Sequence, residues 1–301
     1  EPQVLALRML TREYFVLSDT ITEMKNRLST DLYLLFPGYG DVFSNPFGKA
    51  SMAILKDHPS PRDILAADRL ILAQQAAKHS RKSLAWANTK IDKLVEIASL
   101  TNSLPNELTV LSIKIKLHID SIQSLQNSLD KIVDNIKEMV YSDAFPAKIR
   151  RQIELLDLMP GVGFITAVTL ISEIGNFNLF NSPKAFVAYF GIDPSVNQSG
   201  KFKGDRNKIS KRGTRFGRRA LFTAAMASIR TKANGAEINP ILRDYYAQKC
   251  VNKKKKVALV AVMHKLLHYI FAVLRDDKPF EFRKPEDHQS WRTAKIHLVA
   301  A

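Results

Sequence analysis

Apolar residues recur at three- and four-residue steps along most of the chain, a period that predicts long helices. Val4, Leu7, Leu10, Tyr14, Leu17, Ile21, Met24, Leu28, Leu32 and Leu35 form one series, so residues 4–35 read as a single helix. Pro37-Gly38-Tyr39-Gly40 stops it, and Pro46 and Gly48 keep the next stretch irregular. Ser60-Pro61-Arg62-Asp63 is a helix start, with Ser60 as the cap, Pro61 at the first helical position and Asp63 facing the helix N-terminus. The helix it opens is expected to reach about Leu100, with Pro105 as its boundary. The most regular series is Leu108, Leu111, Ile115, Ile119, Ile122, Leu125, Leu129, Ile132, Ile136 and Met139. Its roughly four heptads suit a coiled coil or long helical hairpin, and equally an ordinary bundle helix within one chain. Dimerisation through it is a hypothesis that a concentration-independent monomer mass would remove.

After Phe145-Pro146 the pattern changes to shorter helices punctuated by glycine motifs. The expected organisation is a helical connecting region over 1–104, a coiled-coil or dimerisation segment over 105–145, a helical domain over 146–282 and a polar tail over 283–301. The fold class is mainly α. The most apolar stretch, Val257 to Leu274, is interrupted by His264, Lys265 and His268 and reads as a buried helix rather than a membrane span. No membrane partner is expected. No secretory leader opens the chain, and a first residue of Glu1 suggests a fragment. One cysteine, Cys250, excludes an intramolecular disulfide and a cysteine zinc cluster.

Charge changes the picture through its distribution. The net charge is +16, and residues 201–256 alone carry 17 Lys and Arg against Asp205, Glu237 and Asp244. A field concentrated this way points to a polyanion, with nucleic-acid phosphate the first candidate and a solvated basic face the plain alternative. Lys253 to Lys256 stand before an apolar helix, where cations oppose the macrodipole and invite an anion.

Three motifs carry candidate chemistry. Leu155 to Ala167, with Pro160-Gly161-Val162-Gly163 at its centre, has the form of a helix-hairpin-helix. Gly161, Val162 and Gly163 would offer backbone N–H groups to phosphate at a helix N-terminus without reading sequence; a plain helix–helix turn is the alternative. In the run Gly191 to Gly204, Ser199 precedes Gly200 and is followed by Lys201, Lys203, Arg206 and Lys208. A serine so placed could attack a phosphodiester while the cations stabilise the transition state, although most Ser-Gly pairs are only turns. In Ile209 to Leu221, Thr214 is placed to cap a helix carrying Arg215, Arg218 and Arg219 on one face, preceded by Lys211 and Arg212. Arginines suit bidentate phosphate contact; a solvated face on a bundle helix is the alternative. Glu173 and Asp193, and His264 with His268 at i,i+4, read as structural groups for want of a third ligand.

In this order and spacing, the three motifs resemble the transposase domain of the insertion-sequence one-ten family, which is DEDD-type. The likeness covers roughly 150–275, and residues 7–37 resemble the helix that follows the family's first catalytic domain. The resemblance implies that Ser199, in Gln198-Ser199-Gly200, is the nucleophile on DNA. It also implies a preceding RuvC-like domain whose four carboxylates bind Mg²⁺, with no cofactor held by this chain. A structured guide RNA, a dimer or tetramer around DNA, and a prokaryotic, nucleoid-associated cytoplasmic setting follow from the same likeness. The alternative function is a non-catalytic helix-hairpin-helix module that only holds nucleic acid; a DNA-repair protein lacks a recognisable constellation here.

Overall fold

The computed structural model describes residues 2–101, 109–195, 198–199, 202–203 and 208–282, with the backbone alone at 109, 198–199 and 202–203. Among these the protein is mainly α, with twelve α-helices and one short antiparallel pair of strands. The chain divides into two compact units, Tyr14–Ile132 and Glu1–Glu13 with Val133–Ala301.

In the 14–132 unit, helix α1 (Pro2–Leu35) matches the first apolar series and ends where Pro37-Gly38 was expected to stop it. Tyr39 is buried just beyond, with its hydroxyl 2.9 Å from the Ser51 hydroxyl of α2 (Lys49–Asp57), and burial raises its pKa. The expected helix from Ser60 to about Leu100 is instead three. Helix α3 (Pro61–Ala66) opens with a full capping box between Ser60 and Asp63 but ends after about two turns. Asp68 then caps α4 (Arg69–Ser80), accepting from the amides of Leu70 and Ile71 at 2.7 and 3.3 Å. Arg81 adopts a left-handed conformation (φ 58°), and α5 (Leu84–Thr101) begins anew. The apolar period continues through these breaks because each helix turns a buried face to the same core; Leu72, Ala76, Ile91 and Leu94 are fully enclosed. The strongest stripe is α6 (Thr109–Tyr141), whose Ile115, Ile119 and Ile122 are buried in this unit's own core. Pro105 and Leu108 lie outside the described residues.

The second unit is built on α8 (Phe164–Ile174) and α12 (Lys255–Asp276). Every α8 residue from Ala167 to Ile174 is buried. Helix α12 is long and apolar enough to cross a membrane by composition, yet ten of its side chains are buried against α7 (Ala147–Asp157), α9 (Pro183–Tyr189), α10 (Arg215–Ser228) and α11 (Pro240–Asn252). It is the core helix of this unit, as expected. Phe177, Phe186 and Phe271 pack with ring centroids 5.2–5.9 Å apart, joining α9 to α12. The start of α1 docks on α8 through polar contacts: Arg8 Nε donates to the Ser172 carbonyl oxygen at 2.8 Å, and Arg12 forms a fork with buried Glu173 at 2.7 and 3.0 Å. The tail 283–301 lies outside the described residues.

The capping box at Ser60 offers a clean test of local design. Ser60→Ala should cost about 1 kcal/mol of stability, read as a lower urea midpoint with unchanged slope; no change would show that α3 is held by packing alone.

Candidate functional site

Helix α9 sets the entry to the serine loop. Ser182 accepts from the Ala185 amide at 3.2 Å, Pro183 takes the first helical position, and the chain leaves at Gly191 with φ 66°. From there the two arms of the loop pair. The Ser195 amide donates to the Lys208 carbonyl oxygen at 2.7 Å, the Ser210 amide to that of Asp193 at 2.8 Å, and the Lys211 amide to that of Gly191 at 2.9 Å. Ser210 Oγ adds a bond to Asp193 Oδ1 at 2.6 Å. Further out, β1 (Gln198–Ser199) pairs antiparallel with β2 (Phe202–Lys203), Ser199 standing opposite Phe202. Ser199 therefore sits on a hairpin whose stem is closed by backbone hydrogen bonds. The side chains of Ser199, Lys201, Lys203 and Arg206 lie outside the described ones.

The stem is fixed from below by Arg218. Its Nη1 donates to the Gly213 carbonyl oxygen at 2.6 Å and to those of Phe190 and Lys211 at 3.3 Å each. Burial lowers the Arg218 pKa, but a guanidinium stays charged, so one desolvated cation ties both ends of the loop to α10. The segments meet closely: a Cβ at Gly213 would collide with the Tyr189 carbonyl oxygen. Thr214 caps α10 as expected, accepting from the amides of Phe216 and Gly217.

The expected arginine face is thus divided. Arg218 turns inward, whereas Arg215 is exposed and lies over the Phe216 ring at 4.7 Å. Arg219 is half-buried and engaged in a contact of its own. Lys208, Lys211 and Arg212 are exposed around the stem, Lys211 with a left-handed backbone (φ 56°). Phe222 was not anticipated. It is 43% exposed and stands seven residues after Arg215 and three after Arg219, hence on the same face of α10. Its spacing from the arginines was the signal available in the sequence.

Helices α7 and α8 are joined by the Pro160–Gly163 turn, and here the glycines part company. Gly161 (φ 95°) is pressed against α10, where any Cβ would collide with the Ser228 hydroxyl, which itself donates to the Pro160 carbonyl oxygen at 3.1 Å. Val162 is buried and its amide is spent on the Met159 carbonyl oxygen at 2.9 Å. The Val162 amide is therefore not the open N–H expected of it, and Gly161 serves close packing against α10. Gly163 does stand in open space at the N-cap of α8, with no side-chain cap over the first-turn amides.

The carboxylates and histidines behave as structural groups. Glu173 is neutralised by Arg12, whose pKa the hydrogen bond raises, and its main-chain oxygen accepts from Tyr189 at 2.6 Å. The His264 and His268 rings lie 4.9 Å apart on α12, with burial lowering both pKa values. Among the described residues no three His, Cys, Asp or Glu side chains converge as metal ligands.

Comparison with known proteins bears on this region. Residues 153–247 match the Transposase IS116/IS110/IS902 family model, a span from within α7 to within α11. About a third of the chain is thus similar to the IS110/IS116 transposases. Every candidate residue named above, from Gly161 to Arg219, falls inside that matched stretch. The chain is also similar to a pilin gene-inverting protein of Moraxella bovis, 26% identical over 72% of this chain and 67% of the relative. It is 30% identical to an uncharacterised 43.6 kDa protein of insertion element IS110 from Streptomyces coelicolor, over 44% and 31%. The transposase for element IS1111A of Coxiella burnetii is 28% identical over 42% and 34%. The chain spans between about one third and two thirds of the length of these relatives.

Two contrasts test the geometry. Arg218→Ala should cost about 1.5–3 kcal/mol of stability, whereas Arg215→Ala should leave the unfolding midpoint within about 0.5 kcal/mol. Equal effects would refute the division of the arginine face. Gly161→Ala should lower stability by more than about 2 kcal/mol through its left-handed backbone and the Ser228 clash. Gly163→Ala should stay within about 1 kcal/mol, and thermal unfolding of the pair decides.

Proposed function

We propose that this chain is the strand-exchange part of an insertion-sequence transposase, with the Ser199 hydroxyl as nucleophile on DNA. The observation that carries this reading is the Gln198-Ser199 strand, inside the matched stretch, on a stem anchored by Arg218 and surrounded by exposed Lys208, Lys211, Arg212 and Arg215. Ser199 Oγ forms a bond to a backbone phosphorus as the bond from that phosphorus to one strand's oxygen breaks. The departing oxygen takes up the proton. A hydroxyl of another strand then reverses the exchange, so the phosphodiester energy is retained without ATP. Gene inversion, the activity in the name of the Moraxella bovis relative, also requires broken strands to be rejoined.

The cations around the stem hold the phosphates, and the uncapped first turn of α8 at Gly163 adds amides at a positive helix end. Phe222 beside Arg215 and Arg219 offers a stacking surface for a base or sugar. The described carboxylates do not fit a Mg²⁺ site, since Glu173 is bound to Arg12 and Asp193 to Ser210. The Mg²⁺ chemistry that the family resemblance implies belongs to a separate RuvC-like carboxylate domain, and no step here runs through it. The proposed partners are donor and target DNA in the prokaryotic cytoplasm, a structured guide RNA, and further copies of the chain in a dimer or tetramer.

Ser199→Ala separates this reading from a helix-hairpin-helix module that only binds. With the carboxylate domain, guide RNA, Mg²⁺ and both DNA substrates supplied, the variant should lose strand exchange by on the order of 10³-fold or more. Its DNA affinity and salt slope should stay unchanged, and Arg215→Ala should shallow the slope by about one. Undiminished exchange by Ser199→Ala would make Ser199 a turn residue and favour the binding module.

A further inference from the structure

The unit containing α7–α12 also holds a cavity of about 430 Å³ that none of the candidate residues above lines. It lies where the starts of α1 and α7 meet the turn after α8, and Arg8, Lys148, Gln152, Asn176 and Asn178 supply its polar wall. The volume falls within the range of about 300–1,000 Å³ typical of small-molecule sites. Its charged groups are all positive: two cations and no carboxylate.

Gln152 distinguishes this cavity from an ordinary surface dent. The residue is 7% exposed, and its side-chain amide makes no hydrogen bond with any described residue. Every fully enclosed side-chain nitrogen and oxygen among the described residues has a partner, so the Gln152 amide opens into the cavity it lines. An amide without a protein partner that opens into a cavity is free to meet a ligand group or water there. Arg8 is positioned to match. Its Nε is held by the Ser172 carbonyl oxygen, and Nη2 lies beside Gly175, another residue of the wall. The side-chain oxygen of Asn176 is occupied by the Asn178 amide at 3.0 Å, leaving its NH₂ as a donor. Val4, Ile149 and Phe177 close the apolar side.

A cationic pair suits a phosphate, an amide suits a base edge that shows both donor and acceptor, and apolar side chains suit a planar ring. We propose that this cavity binds a nucleoside phosphate, the phosphate between Arg8 and Lys148 and the base edge against Gln152. The source of that nucleotide is either a free molecule or an unpaired nucleotide extruded from a nucleic-acid strand, which enzymes house in such pockets. The proposal does not depend on Ser199 chemistry.

The test uses the whole chain and measures binding of AMP, CMP, GMP, UMP and inorganic phosphate. A second arm compares a DNA duplex carrying one unpaired nucleotide with the same duplex fully paired. Gln152→Leu removes the base contact and Lys148→Glu reverses an exposed charge of the wall; Lys137→Glu makes the same charge change outside it. Gln152→Leu and Lys148→Glu should each weaken binding about tenfold, with circular dichroism reporting the fold. Weakening on the monophosphate arm identifies a free nucleotide, and weakening confined to the unpaired-nucleotide duplex identifies an extruded one; either upholds the site. Inorganic phosphate binding as tightly as the monophosphates overturns the base contact. If Lys148→Glu binds every probe as Lys137→Glu does, the site does not exist, whether or not Gln152→Leu folds.

Discussion

One guanidinium organises the candidate site. Arg218 is partly withdrawn from water, and three carbonyl oxygens from both ends of the serine loop surround it. A buried cation is costly unless hydrogen bonds compensate it, so those carbonyls and the arginine position each other. The arrangement requires the 189–191 and 211–213 segments to run against one another, which only a residue without Cβ allows at Gly213. The backbone pairing of Asp193–Ser195 with Lys208–Ser210 follows from that convergence, and with it the point from which the Ser199 hairpin leaves.

The same unit supports this clamp through α8. Its buried face carries Glu173, whose charge Arg12 compensates and whose main chain receives Tyr189, the last residue of α9. Arg12 also lies over the Phe216 ring at 5.2 Å, so the start of α10 is tied to the start of α1. The Phe177–Phe186–Phe271 contacts hold α9 from its other side. The exposed cations thus stand on an element secured by packing and by charge compensation together. That is the rigidity the proposed phosphate contacts require, since misplacement by about 1 Å weakens such chemistry severely.

Features with local causes were legible in the sequence. Ser60-Pro61, Ser182-Pro183 and Thr214 each begin a helix because a short polar side chain meets amides two or three residues on. The stripes of α1 and α6 and the apolar run of α12 announce helices through their period alone. What escaped depends on distant contacts. Asp68 and Arg81 break an unbroken apolar period, because three helices facing one core keep the period that one would show. Arg218 looks like Arg215 in the sequence, and only the carbonyls of Phe190 and Gly213 turn it inward. Gly161 looks like an open phosphate turn, but its partner Ser228 lies 67 residues away on α10. Gln152 carries no motif at all; its interest comes from the cavity around it.

The central claim is that one hydroxyl in this chain becomes bonded to DNA. The most direct measurement traps that bond, using donor DNA nicked so that the cleaved strand diffuses away, followed by proteolysis and mass spectrometry of the adduct. The account predicts a nucleotide phosphate on Ser199 itself, located by fragmentation of the peptide that carries it, and on no other residue. Attachment to Ser195, Ser210 or a tyrosine, or complete strand exchange with no attached peptide, would contradict it.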